Sequence, residues 1–219
     1  MSMPVLEESR VAPISEVRAV DSIEALHGAC FTHQNRIVFE RSLTADFDSV
    51  ARAFGDYIEK RFGKTQMDLK VEQIKEIADE VIGYDKLALA LMVRDAEMLA
   101  SHCSEVFIRF LKGNYTNEGL TSFHEDGPTR YFCHYSGADM EHITRDNAEI
   151  VKEEELAMGV RLVEYAAKDA SKVFTMPKGA IWKQAGTMSN YRLEHAPEMT
   201  PAIHRGRNGQ CRAFLLANA

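Results

Sequence analysis

Paired cysteines are missing from this chain. The four that occur, Cys30, Cys103, Cys133 and Cys211, are widely spaced and form no C-x-x-C pair. That argues against a zinc ribbon or a disulfide framework and fits small buried side chains in a reducing compartment. Long apolar runs are missing too. No stretch approaches the ~20 residues needed to span a bilayer, and positions 1–20 hold no signal-like apolar core. The expectation is a cytoplasmic protein with no membrane partner. Positive charge is short: 26 Lys and Arg stand against 33 Asp and Glu, a net charge of −7. No basic stripe is left to neutralise phosphates, so nucleic acid is not expected as a partner. Familiar catalytic signatures are absent as well: no G-x-S-x-G elbow, P-loop, H-E-x-x-H or Rossmann glycine fingerprint.

What is present suits one well-buried domain with room for an appendage, at 219 residues and 45% apolar content. Charge is uneven along the chain. Glu149, Glu153, Glu154 and Glu155 read as a solvated face, while Arg205, Arg207 and Arg212 gather near the end. Positions 1–20 lack periodicity and read as a tail or edge segment, and 36–41 is a short β-like run. Thr44-Ala45-Asp46-Phe47 offers a helix N-cap, and Phe47, Val50, Ala51, Phe54, Tyr57 and Ile58 follow at helical spacing up to Gly63. A second helix is predicted from Val71 to Ile82 and a third over 87–103.

From about position 105 the pattern shortens to strands over 106–111, 129–135, 172–176, 180–184, 199–204 and 211–216, punctuated by Gly, Pro and Asn turns. A helical insertion is predicted at 147–170. The expected organisation is a helical N-terminal part, 1–104, packed on a β-barrel at 105–219.

The informative segment is Phe123-His124-Glu125-Asp126-Gly127-Pro128, ahead of the second of these strands. In an extended chain residues i and i+2 share a face, so His124 and Asp126 can offer a nitrogen and an oxygen to one ion while Glu125 points away. Two histidines and one carboxylate cover one face of an octahedral Fe(II) and leave positions open. The pair alone is also compatible with a surface turn. The second histidine is expected to be His204, with His195 in reserve. His134 reads as a packed strand residue and His142 as surface or loop.

Whether Arg212 joins the site depends on the last turn. A two-residue turn at Asn208-Gly209 sends Arg212 to the face opposite His204; a three-residue loop, or a turn crossing between sheets, brings both into one cavity. Tyr131 and Tyr135 share a strand face. They are candidates to donate hydrogen bonds to a bound carboxylate, or else are core aromatics. Arg109 and Arg130 are possible cavity residues, and Trp182 is expected to pack.

The order H-x-D, strand, about 80 residues, His, then Arg eight positions on resembles the double-stranded β-helix Fe(II)/2-oxoglutarate-dependent oxygenases. The resemblance covers roughly 105–219. It implies an α+β protein with a jelly-roll, cupin-like barrel and His124, Asp126 and His204 as iron ligands. It further implies Arg212 as the anchor for the far carboxylate of 2-oxoglutarate. The reaction implied consumes O₂ and 2-oxoglutarate, releases succinate and CO₂, and oxidises a small-molecule substrate. Phe123-His124-x-Asp126, Tyr135-x-Gly137, Pro177-x-Gly179 and His204-Arg205 are also similar to an uncharacterised bacterial family with no assigned activity. Two rivals stand beside this expectation: a cupin-like metalloenzyme that uses no 2-oxoglutarate, and a non-catalytic metal- or ligand-binding barrel. Neither the substrate nor the oligomeric state is legible in the sequence.

Overall fold

Strand-forming segments on both sides of position 104 enter one sheet. The computed structural model describes residues 15–115, 121–155, 161–188, 200–207, 209 and 211–219. The large sheet contains β1 (Val17–Val20), β2 (Arg36–Phe39), β3 (Gln66–Leu69), β4 (Glu105–Leu111), β6 (Arg130–His134), β11 (Ile181–Gln184) and β13 (Arg212–Asn218). The small sheet is made of β5 (His124–Glu125), β7 (Glu141–Ile143), β10 (Phe174–Thr175) and β12 (Ile203–Arg205). Seven strands run β1-β2-β11-β6-β13-β4-β3 and four run β10-β7-β12-β5. The architecture is α+β and strand-rich. Because β2 pairs with β11 and β3 with β4, the expected division at 104 does not interrupt the large sheet.

Strand alternation divides the large sheet's side chains between two cores. Tyr131, Cys133, Ile181, Ala213, Leu215 and Ala217 pack with the helices, whereas Phe132, Trp182, Phe214 and Leu216 form a separate cluster with Met140 and Met176. Ring contacts carry this second face to the small sheet. Phe132 lies 5.9 Å from His204 and Trp182 lies 5.8 Å from His142 between ring centroids. A sheet buried on both faces needs apolar residues at consecutive positions, which is why these strands read as near-continuous hydrophobic runs.

Four helices cover the outer face: α1 (Ile23–Gly28), α2 (Phe47–Phe62), α3 (Val71–Ile77) and α4 (Lys86–Ala100). The Asp46 carboxylate accepts from the Ser49 amide to start α2, and Gly63 at φ 65° stops it; both were expected from sequence. Asp85 caps α4 by accepting from Leu87 and Ala88. α3 ends five residues short of the expected Ile82. The Tyr84 hydroxyl donates to the Ala78 carbonyl, and Gly83 turns at φ 81°. None of the described helices is long and apolar enough to cross a membrane.

The insertion expected to be helical is a β-hairpin. β8 (Ala148–Glu155) pairs antiparallel with β9 (Arg161–Ala167), and Val163, Tyr165 and Ala167 line the third core cluster with Phe123, Ile143 and Ile203. That spacing is two residues, a strand period. The acidic run on β8 is exposed, as expected for a solvated face.

One side chain ties the two sheets together. The guanidinium of Arg36 (β2) donates to His142 Nδ1 at 3.3 Å, Glu16 at 3.1 Å, Asn35 at 2.7 Å, and the carbonyls of Ile143 and Ile203 at 3.3 and 2.6 Å. Complete burial lowers its pKa to about 10, an effect opposed by Glu16.

Candidate metal centre

β5 and β12 are paired so that His124 and His204 stand directly opposite each other. Asp126 follows two residues after His124, on the face predicted from alternation. One ligand atom from each of the three lies within 4.8 Å of the others, the one such group among the described residues. The His204 Nε2 to Asp126 Oδ2 distance is 3.3 Å, and the two imidazole centroids are 4.7 Å apart.

The environment prepares this donor set. His124 Nδ1 lies 2.7 Å from the Ser122 carbonyl. A carbonyl only accepts, so Nδ1 carries a proton and Nε2 is the ring atom left for ligation. Burial holds His204 well below the ordinary histidine pKa, with His124 and His142 adding to the effect, so the ring is neutral. Burial raises the Asp126 carboxyl, while Arg130, His124, Gln184 and Arg109 oppose the rise. Arg130 Nη1 donates to Asp126 Oδ1 at 2.5 Å and Gln184 Nε2 donates to Oδ2 at 3.2 Å. Two imidazoles and one carboxylate fit a divalent transition metal. A small open cavity of about 30 Å³ adjoins them, walled by Phe132, Met140, Phe214 and Leu216 with Arg109 and Arg130 at its polar side.

Arg212 is fully buried on the inner face of β13. Neither simple hairpin register applies, because β12 belongs to the small sheet and β13 to the large one. The turn crosses between sheets, and both side chains point between them. The Arg212 guanidinium lies 4.6 Å from the Tyr115 ring centroid and contacts the Ala138 carbonyl at 3.5 Å. Its Nε and Nη2 have no hydrogen-bond partner among the described residues. Gly137 makes this approach feasible. It sits at φ 76°, and a Cβ there would meet Arg212 Cγ at 2.2 Å.

Tyr131 and Tyr135 require correction as cosubstrate ligands. They share a face, but it is the helix-packed one. Tyr131 Oη contacts His27 Nδ1 at 3.3 Å; the Tyr135 hydroxyl donates to Asp95 at 2.9 Å, and its ring stacks on Phe47. With Phe132 facing inward, a period of two turns both tyrosines outward.

His142 also departs from expectation: it is completely buried on β7, beside His204 in the β7–β12 ladder. His134 and Trp182 are packed, as expected. Arg109 makes a two-point ion pair with Asp68. His195 lies outside the described residues. Gln184 was not foreseen; its only local sequence signal is the alternation that puts it on the same face as Trp182.

The buried His134 makes stability dependent on acid. Burial first, then the Arg212 charge, lowers its pKa from 6.5 to about 3. Between those values the unfolded chain binds a proton that the folded ring refuses. Stability from this group is therefore whole above about pH 6.5 and is lost as pH falls toward 3. At pH 4.5 the loss is about 2–3 kcal/mol. Urea unfolding at pH 7 and 4.5 should show a flatter pH dependence in His134→Gln than in the parent; equal slopes would contradict the assignment.

No protein-family model matches this chain, and no curated protein matches it. The closer family resemblance suggested by the four short motifs thus has no matching model. Two solved structures show low overall similarity. A C-terminally truncated Neurospora crassa protein, in apo form, aligns with a TM-score of 0.42 and 8% identity, covering 85% of this chain and 83% of that one. A Shewanella oneidensis protein provisionally described as an oxygenase aligns with a TM-score of 0.41 and 11% identity, covering 93% and 89%. The functional reading therefore rests on the geometry of His124, Asp126 and His204.

Proposed function

We propose that this chain is a non-haem Fe(II)- and 2-oxoglutarate-dependent oxygenase, built as a double-stranded β-helix and acting on a small molecule. The observation that carries the reading is the convergence of two imidazoles and one buried carboxylate on one point, beside an open cavity. When bound there, Fe(II) supplies coordination positions at which O₂ and a chelating 2-oxo acid meet.

The chain's own residues divide the remaining work. His124 Nε2, an oxygen of Asp126 and His204 hold the metal. Arg130 binds Asp126 Oδ1 and restrains the carboxylate. Arg212, buried with two unused donor nitrogens, is suited to the far carboxylate of the cosubstrate by a charge-assisted two-point contact. A buried guanidinium lacking a carboxylate partner is costly, and a bound dianion would offset that cost. Phe132, Phe214, Leu216 and Met140 give the cavity an apolar wall.

Anaerobic addition of Fe(II) and 2-oxoglutarate to the metal-free protein should produce a visible metal-to-ligand charge-transfer band. Arg212→Met should weaken 2-oxoglutarate binding, read from titration of that band, by about 10- to 100-fold, the ~1.5–3 kcal/mol of a charged hydrogen bond. Metal binding without any band would overturn the use of 2-oxoglutarate.

A further inference from the structure

Gln184 closes β11 and is completely buried on the face that looks toward the small sheet. Its amide touches three groups whose donor and acceptor roles are constrained. Trp182 Nε1, which can only donate, lies 3.4 Å from Gln184 Oε1. Asp126 Oδ2, an acceptor when ionised, lies 3.2 Å from Gln184 Nε2. These two neighbours orient the amide: carbonyl toward Trp182, NH₂ toward the metal centre. The same NH₂ lies 3.0 Å from His204 Nδ1.

A proton position on His204 follows. The NH₂ has two hydrogens, one for Asp126 and one for His204, so Nδ1 must accept. A neutral imidazole has one accepting and one donating nitrogen. His204 therefore carries its proton on Nε2, which faces Asp126 Oδ2 at 3.3 Å. Gln184 thus bridges Asp126 Oδ2 and His204 Nδ1 with its two amide hydrogens. Nε2 is also the atom that must be bare to ligate. His124 is different, because the Ser122 carbonyl already holds its proton on Nδ1.

We infer that Gln184 is a positioning residue that holds His204 in the wrong tautomer for ligation until a metal enters, and that its amide turns over on loading. This rests on the metal-site reading but not on the use of 2-oxoglutarate. The proton count on His204 does not change. One proton leaves Nε2 for solvent and one arrives at Nδ1, while the Nε2 lone pair goes to the metal. The new Nδ1–H would face the NH₂ at 3.0 Å, donor against donor. Rotating the amide by a half turn replaces that clash with an Nδ1–H to Oε1 hydrogen bond. The rotated NH₂ then faces the Trp182 indole N–H, so loading sacrifices the Trp182 contact, and the metal takes over the Asp126 charge.

The test is long-range ¹H–¹⁵N correlation on the full chain labelled with ¹⁵N-histidine, metal-free and saturated with Zn(II). The His204 signals are identified by their loss in His204→Gln. In the metal-free parent, His204 Nδ1 should resonate as a bare, pyridine-like nitrogen, and on Zn(II) saturation it should shift to the protonated, pyrrole-like range. Gln184→Glu replaces the NH₂ by an oxygen that shares a proton with Asp126 and keeps a lone pair toward His204, so its His204 should show the Nδ1–H pattern without metal. Unchanged His134 and His142 signals would report an intact fold in that variant, and if it fails to fold the parent spectra still decide. An Nδ1–H pattern in the metal-free parent would overturn the inference, as would a Glu variant that keeps Nε2–H. Failure of the parent to bind Zn(II) would instead remove the metal site, a separate result from the metal-free tautomer.

Discussion

Asp126→Asn is expected to abolish metal binding while leaving the fold standing. Asp126 is the single carboxylate in the three-residue cluster, and its replacement leaves two imidazoles and an amide. Loss of residues that merely orient ligands costs about 10- to 100-fold in metal affinity, so removing the anionic ligand itself should exceed ~100-fold. The fold should tolerate the change because the carboxylate is a charge held at a burial cost, which is why its pKa is raised. The asparagine carbonyl still accepts from Arg130 or Gln184. Arg130 also donates to Asn218 at 3.1 Å, and its side chain is about a quarter exposed. The expected stability change is about 1 kcal/mol or less, the scale of one hydrogen bond. Calorimetric titration with Fe(II) or Zn(II), beside thermal unfolding of both proteins, makes the comparison. Affinity within tenfold of the parent would remove Asp126 from the site.

Arg36→Met is expected to produce the largest loss of stability, about 3–5 kcal/mol. Arg36 is completely buried, and the variant would strand Asn35 Oδ1 and leave the Glu16 carboxylate only its contacts with Asn35 Nδ2 and the Arg145 amide. It would also strand His142 Nδ1 and weaken the support of two carbonyls. Lysine should not restore the loss, because one ammonium cannot reproduce the planar fork that reaches both sheets. The damage should also spread to the metal centre. The Ile203 carbonyl that Arg36 holds belongs to the residue before His204, so β12 loses a tether beside that histidine. Urea unfolding at neutral pH gives the first number and metal titration of the folded fraction gives the second. A loss under ~1 kcal/mol would mean that the two sheets are held together mainly by the Phe132, Trp182 and Phe214 cluster instead.

Which parts of the centre were legible in the sequence follows the range of the interaction involved. His124 and Asp126 were readable because two-residue alternation is a property of a single extended segment. The caps of α2 were readable for the same reason, since Asp46, Ser49 and Gly63 act within one turn of their helix. The hairpin at β8 and β9 was misread as helix because its many Glu and Lys residues suit a helix surface. Its strand period is carried chiefly by Val163, Tyr165 and Ala167. Alternation also predicted that Tyr131 and Tyr135 share a face, but it is silent on which face meets the metal. That choice was made by Phe132, whose ring lies against His204.

The chain by itself therefore determined the His124–Asp126 face, the main helices and the strand-rich C-terminal part, because local backbone geometry and periodic burial suffice for each. Tertiary structure decided the remainder. It set His204 opposite His124 by pairing strands some 80 positions apart, aimed Arg212 between the sheets through a crossing turn, and brought Gln184 against Asp126 and His204 at once. Each of these depends on register between distant strands, and a shift of one residue would turn the side chains concerned to the opposite face.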